Sequence, residues 1–136
     1  MRIFLDANLL FSAAKSDGAI RRLLELLSKA GHEFHVDGYV TEEARRNLAA
    51  KAPEGLVTLE KLLSRMNVAA IQPMNAALSA VVSLPEKDRP VLAAAISLGC
   101  DALVTGDQTH FGPFYGKKLG AVTIYSPRLL AEVLLK

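Results

Sequence analysis

The sequence predicts an α/β fold built on a mainly parallel central sheet of about five strands. Short apolar runs that suit buried strands alternate along the chain with longer segments whose apolar residues recur at helical spacing. Helices between successive strands are the connections that a parallel sheet requires. The chain has 136 residues, of which 51% are apolar and 22% charged. We therefore expect residues 1–136 to form one domain with its own core.

The predicted elements follow one another in a regular order. The predicted strands are 2–5, 33–36, 68–71, 102–105 and 121–125. The predicted helices are 18–30, 41–52, 55–66, 75–82, 85–98 and 127–135. Pro53 and Gly99 end two of these helices, as helix-breaking residues commonly do. The glycines and proline within 106–120 predict a loop there.

Composition also indicates the compartment in which the protein is expected to act. No apolar run approaches the ~20 residues that a membrane-spanning helix needs, so no membrane partner is expected. The first residues superficially resemble a signal peptide, but Asp6 and Asn8 interrupt the apolar stretch. Cys100 is the only cysteine, which excludes an internal disulfide and fits a cytoplasmic location.

Four carboxylates are expected to meet at one edge of the sheet. Asp6 and Asp107 directly follow predicted strands, and ligands of a parallel sheet bind beyond the carboxyl ends of its strands. Glu43 and Asp88 lie near the starts of predicted helices, which begin at the same edge. Clustered carboxylates repel one another, so a fold that gathers them usually offers them to a cation, and oxygen ligands favour Mg²⁺ or Mn²⁺. The set predicts metal-dependent phosphodiester chemistry.

Helical phase separates Glu43 from the neighbouring Glu42. The predicted buried stripe of their helix consists of Val40, Ala44 and Leu48. Glu43 borders this stripe at the i+3 position, whereas Glu42 faces outwards, where it can pair with Arg46 at i+4. We therefore expect Glu43 to point inwards and Glu42 to be a solvated surface acid.

A purely structural role is the alternative for most of these acids. Asp88 would cap its helix, Glu43 would interact with the helix dipole, and Asp107 would be a turn residue. Asp6 is harder to explain in this way, because a carboxylate that ends an apolar strand is costly without a partner. Jointly, four acids at one edge favour a site.

The ordered phrases around these acids resemble those of the PIN-domain nucleases. The matching segments occur in family order and span most of the chain: 4–8, 43–48, 88–95 and 103–107. The resemblance implies a compact α/β/α sandwich and a Mg²⁺- or Mn²⁺-dependent endoribonuclease. It also implies that Asp6, Glu43, Asp88 and Asp107 form the metal site. Two further positions, Asn8 and Thr105, match polar positions that support such sites.

The resemblance also bears on partners and on alternatives. Many small prokaryotic members are VapC-type toxins that an antitoxin protein neutralises, so RNA and an antitoxin are the implied partners; a homodimer is left open. Many relatives carry a further acid after the last aspartate, whereas residues 108–111 of this chain are Gln-Thr-His-Phe. This difference argues against a second metal position but leaves the four acids in place.

The alternative function is a catalytically inactive PIN-like RNA-binding or scaffold module. A haloacid-dehalogenase-type phosphatase is disfavoured because Asn8 stands where a second aspartate is needed.

Charge is compatible with a polyanionic partner. The net charge is +2, from 16 basic and 14 acidic residues, and setting aside the four proposed site acids leaves +6 for the rest of the surface. The candidates for RNA-backbone contacts are Lys117, Lys118, Arg89 and Arg45. The two lysines are favoured because they lie in the loop beside the proposed site. An ordinary solvated basic surface is the alternative. His110 follows Asp107 closely enough to reach the proposed site, but a structural role is favoured for it.

Overall fold

The computed structural model describes residues 1–73 and 84–135 and has a mixed sheet at its centre. The strands are β1 (Arg2–Leu5), β2 (Glu33–Asp37), β3 (Asn67–Ala69), β4 (Ala102–Val104), β5 (Lys118–Leu119) and β6 (Val122–Tyr125). Their order across the sheet is β3-β2-β1-β4-β6-β5. The pairs are parallel except for β5 with β6, which is antiparallel. The predicted α/β fold with a mainly parallel sheet is confirmed, with six described strands rather than about five.

Helices connect and flank these strands. They are α1 (Ala7–Lys15), α2 (Ala19–Lys29), α3 (Gly38–Lys51), α4 (Leu56–Leu63), α5 (Arg89–Ser97), α6 (Gln108–Phe111) and α7 (Pro127–Leu134). Short 3₁₀ turns cover Pro53–Gly55, Glu86–Asp88 and Gly112–Phe114. The predicted helix 75–82 lies outside the described residues. Within the two described ranges, no helix is both long enough and apolar enough to span a membrane.

Two predictions about local structure were wrong. No helix was predicted at 7–15, yet α1 begins immediately after β1 because the Asp6 carboxylate caps it by accepting from the Ala7 N–H. The apolar residues of α1 follow directly on those of β1, so the sequence shows no visible change from strand to helical spacing. The predicted loop 106–120 contains α6 and β5, and β5 is the additional sixth strand.

The helix that carries Glu43 starts earlier than expected. It begins at Gly38 rather than at position 41, because Asp37 ends β2 and accepts a hydrogen bond from the Val40 N–H at 3.3 Å. Glu43 therefore lies in the second turn of α3. Since the helix-dipole effect falls off within the first turn, that alternative explanation for Glu43 loses support.

The centre of the sheet is fully buried and sets the position of the site. The residues of β1 and β4 that are completely inaccessible are Ile3, Phe4, Leu5, Ala102, Leu103 and Val104. Burial on both faces is expected for parallel strands that are flanked by helices. Leu5 pairs with Val104 in the register, and the Asp6 N–H donates to the Val104 carbonyl at 3.1 Å. The next residues, Asp6 and Thr105, therefore lie side by side at the carboxyl edge.

Candidate metal centre

Asp6 lies at the end of β1 and is held by three donors. Its side chain is only 6% exposed. Oδ1 accepts from the Ala7 N–H at 2.7 Å, and Oδ2 accepts from Thr105 Oγ1 at 2.8 Å and from Asn8 Nδ2 at 3.3 Å. The position and orientation of this carboxylate are therefore determined by the fold and not by solvent.

Asn8 and Thr105 join the ends of the two central strands. Asn8 Oδ1 accepts from the Gly106 N–H at 2.9 Å, and Thr105 Oγ1 accepts from the Asp107 N–H at 3.1 Å. A carboxylate can only accept, so the Thr105 hydroxyl proton goes to Asp6. The network fixes the loop that carries Asp107 relative to Asp6.

Asp88 and Asp107 converge on His110. The Nδ1 atom of His110 is 2.8 Å from Asp88 Oδ2 and 2.9 Å from Asp107 Oδ2. Within residues 1–73 and 84–135, neither His110 Nδ1 nor Asp88 Oδ2 has a hydrogen-bond partner of acceptable geometry, although both atoms are buried. The three groups form a compact set whose ligand atoms lie within 4.8 Å of one another.

Only one of these two aspartates caps a helix. Asp88 ends the turn before α5 and is 8% exposed, but within the described residues its side chain makes no capping hydrogen bond to α5. The helix-cap interpretation of Asp88 is therefore wrong. Asp107 does cap α6, because Oδ1 accepts from the His110 N–H at 3.2 Å. Its other oxygen remains directed at the imidazole.

Glu43 projects from α3 towards the same region. It is half-buried and Glu42 is exposed, in agreement with the helical phase. One turn earlier on the same face, the Tyr39 hydroxyl donates to the Lys87 carbonyl at 2.9 Å and so ties α3 to the turn that carries Asp88. Sequence reasoning missed Tyr39, although its i+4 spacing from Glu43 was a usable signal.

The electrostatics show that these carboxylates act on one another. The pKa of Asp6 is raised to about 6, mainly because the carboxyl group is buried. Hydrogen bonds from Thr105 and Ala7 lower this pKa, whereas the charges of Glu43 and Asp88 raise it. Burial also raises the pKa of Asp88; the His110 charge lowers it, and the Asp107 charge raises it. The four predicted acids thus share one electrostatic environment, with Asp6 as its most buried member.

The two candidate arginines are engaged with the protein. Arg45 binds Glu60 through both Nε and Nη2, at 3.0 Å each, and this pair links α3 to α4. Arg89 Nε donates to the Leu84 carbonyl at 3.0 Å. Both side chains therefore have structural contacts that the sequence did not predict.

The two candidate lysines remain exposed. Lys117 precedes β5 and Lys118 begins it. The adjacent Tyr115 anchors this segment, since its hydroxyl donates to the Thr105 carbonyl at 2.8 Å. Lys118 itself pairs with Thr123, which in turn pairs with Ala102 at the start of β4. The register thus places Lys118 level with the amino end of β4 and not beside its carboxyl end.

His110 is the residue whose interpretation changes most. It was interpreted as structural, but its imidazole nitrogen contacts two of the predicted site acids. The signal in the sequence was its i+3 spacing from Asp107, which places both on adjacent positions if a helical turn forms. The four-residue helix α6 was not predicted, so the closeness of His110 to Asp107 in sequence was noted but not enough to favour a role in the site.

Comparison with known proteins identifies the fold and the family. The sequence of residues 2–109 matches the family model described as the PIN domain. The chain belongs to the PIN-domain family. Comparison with curated proteins gave no match.

Solved structures share the PIN-domain architecture at low sequence identity. The chain is similar to VapBC2 from Rickettsia felis (TM-score 0.70, 16% identity, covering 93% of this chain and 98% of that one). It is also similar to PAE2754 from Pyrobaculum aerophilum (TM-score 0.67, 18% identity, covering 99% and 96%). A third match is Mycobacterium tuberculosis VapC20, described as a sarcin-ricin loop cleaving toxin (TM-score 0.59, 14% identity, covering 79% and 91%). These similarities establish a PIN-like fold.

Proposed function

We propose that this PIN-domain protein is a cytoplasmic endoribonuclease that depends on Mg²⁺ or Mn²⁺. The observation that carries the proposal is the environment of Asp6. This carboxylate is almost fully buried, and its pKa of about 6 reflects burial together with repulsion from Glu43 and Asp88. A divalent cation among these groups would offset both costs.

The donor set fits such an ion. Carboxylate oxygens are hard ligands of the kind that Mg²⁺ and Mn²⁺ prefer, and the buried Asp88 Oδ2 has no hydrogen-bond partner within the described ranges. Asp6 and Asp107 are the first choices for direct ligands. Glu43 and Asp88 would bind the ion directly, hold its water molecules or assist proton transfer.

The chain's own residues would orient the reacting groups. Thr105 and Asn8 hold Asp6 Oδ2 through hydrogen bonds, as residues behind metal ligands commonly do. A bound metal ion would lower the pKa of a coordinated water molecule and would offset negative charge at the phosphate. Lys117 and Lys118 are exposed and follow Tyr115, which is bonded to the end of β4; they would contact the RNA backbone where it leaves the site.

The similar proteins support RNA as the substrate and suggest a protein partner. VapC20 is described as cleaving the sarcin-ricin loop, and two other matches are VapBC complexes from Rickettsia felis and Salmonella typhimurium. We therefore propose that this chain is the toxin of a toxin–antitoxin pair. Its antitoxin would cover the carboxylates at the carboxyl edge of the sheet.

A cleavage assay with a matched control tests the activity. Purified protein would be incubated with a mixture of structured and single-stranded RNAs, with Mg²⁺, with Mn²⁺ or with excess EDTA. We expect cleavage with either ion, none in EDTA, and loss of most activity in Asp6→Asn. Asp17→Asn is the control, because Asp17 is an exposed acid paired with Arg21 on α2, and it should cleave normally.

Two outcomes would contradict the proposal. Undiminished cleavage in excess chelator, by a preparation whose Asp6→Asn counterpart is inactive, would exclude the metal dependence. Metal-independent RNA binding by the wild-type protein without cleavage under any condition would favour the alternative, a catalytically inactive RNA-binding module.

A further inference from the structure

We propose that His110 is a nitrogen ligand of the metal ion that binds between Asp88 and Asp107, and that it gives the site a preference for Mn²⁺ over Mg²⁺. The inference rests on the proposed metal dependence but not on RNA cleavage. It adds a ligand of a different chemical type to a set that the sequence predicted to consist of oxygen alone.

The spacing of the three groups is the first argument. His110 Nδ1 is 2.8 Å from Asp88 Oδ2 and 2.9 Å from Asp107 Oδ2. In an octahedral site with metal–ligand bonds of about 2.1 Å, adjacent ligand atoms are about 3.0 Å apart. The two contacts match that separation within about 0.2 Å, and the ligand atoms of all three groups lie within 4.8 Å of one another, a span that one ion can bridge.

The unsatisfied polar atoms are the second, independent argument. Asp88 is 8% exposed, and its Oδ2 is buried without a hydrogen-bond partner anywhere in 1–73 or 84–135. The same holds for His110 Nδ1, so the short contact between them is not a well-formed hydrogen bond. Buried polar atoms in native proteins are usually satisfied. A cation bound by both atoms would satisfy them together.

The backbone of α6 holds the imidazole at this place. The His110 N–H donates to Asp107 Oδ1 at 3.2 Å, and the following residue, Phe111, is completely buried in the core. The Phe111 N–H also donates to the Asp107 carbonyl at 3.0 Å. His110 is therefore fixed between a capping aspartate and a buried anchor, so little ordering is needed when an ion binds.

Ligand chemistry explains the expected metal preference. Mg²⁺ is bound through oxygen and by few protein ligands. Mn²⁺ also favours oxygen ligands, but as a first-row transition-metal ion it accepts an imidazole nitrogen more readily than Mg²⁺ does. A site with one nitrogen ligand should therefore discriminate against Mg²⁺ more than a purely carboxylate site would. Removing the imidazole should reduce the affinity for Mn²⁺ more than that for Mg²⁺.

Pulsed EPR of bound Mn²⁺ tests the ligand without relying on activity. Wild-type protein loaded with Mn²⁺ should show ¹⁴N modulation from a directly bound imidazole. His110→Gln should lose this modulation, and calorimetry should show at least roughly tenfold weaker Mn²⁺ binding with a smaller change for Mg²⁺. His32→Gln is the matched control, since His32 precedes β2 at the amino edge of the sheet, and it should behave as wild type.

The outcomes separate this inference from the proposed function. Bound Mn²⁺ without ¹⁴N modulation in the wild-type protein would overturn the role of His110 and leave the carboxylate site intact. Modulation that persists in His110→Gln would do the same. Absence of any Mn²⁺ or Mg²⁺ binding by the wild-type protein would overturn both proposals. The wild-type spectrum decides the matter even if His110→Gln does not fold.

Discussion

Asp6 combines deep burial with an unfavourable charge. Its pKa in the folded, metal-free protein is about 6, above the ordinary value of 3.8. Between pH 3.8 and about 6, the folded protein therefore keeps a proton on Asp6 that the unfolded chain has released. The free energy of unfolding should fall, on account of this residue, as the pH rises from about 4 to about 6, and the penalty should persist above pH 6.

Replacing Asp6 by asparagine should reveal this penalty. Asn also caps helices well, so Asp6→Asn should stabilise the metal-free protein at pH 8 and have a much smaller effect at pH 4. The gain at pH 8 is at most about 3 kcal/mol, because each pKa unit corresponds to about 1.36 kcal/mol. Urea unfolding in EDTA at the two pH values measures it, with Asp17→Asn as control. An equal change at both pH values would show that the Asp6 charge is not the cause.

At the level of residues, local pattern predicted orientation but not long-range contact. The inward position of Glu43 and the exposure of Glu42 follow from the spacing to Val40 and Ala44 within one helix. The hydrogen bond from Tyr39 to the Lys87 carbonyl joins positions 48 apart in the chain. No local periodicity encodes such a contact, since it depends on how α3 packs beside the turn at Asp88.

The element that offers the sharpest comparison is α3, because it carries two adjacent glutamates with different environments. Glu43→Gln should weaken metal-dependent cleavage by at least roughly tenfold, the order expected when a group supporting a metal site is lost. Glu42→Gln should have little effect, since Glu42 is exposed and the expected pair with Arg46 is not among the ion pairs of the described residues. Cleavage rates of both variants across a Mn²⁺ titration measure the difference. If Glu42→Gln is the impaired variant, the assignment of the inward glutamate is wrong.

Elements whose apolar residues show a clear helical or strand spacing were predicted, and those without such a spacing were missed. The helix α2 was expected at 18–30 and occupies Ala19–Lys29, because its apolar residues recur at helical spacing. The helix α1 was missed because apolar residues run from β1 straight into it, so its start is determined by the Asp6 cap. The two-residue strand β5 exists only through pairing with β6, and two residues carry no period.

At the scale of the whole molecule, the site joins segments that are distant in sequence. Asp6, Glu43, Asp88 and Asp107 come from four separate parts of the chain, and a bound ion would connect them. Ligands that bind only the folded state stabilise it by mass action, by about 2.7 kcal/mol at 100 times Kd. We therefore expect Mn²⁺ to raise the melting temperature of wild type and of Asp17→Asn, but much less that of Asp6→Asn. An equal rise in all three proteins would place the bound ion elsewhere.

The order of the strands also determines when the site can form while the chain is being synthesised. β1 is made first, but one of its two neighbours in the sheet is β4, whose residues are 102–104. At roughly 5–20 residues per second, about 5–20 s separate the appearance of Asp6 from that of Asp107. During this interval β1 lacks the neighbour whose next residue, Thr105, orients Asp6. A growing chain therefore cannot assemble the carboxylate set until β4 has emerged, so any chemistry that requires an oriented Asp6 begins only after most of the chain has been made.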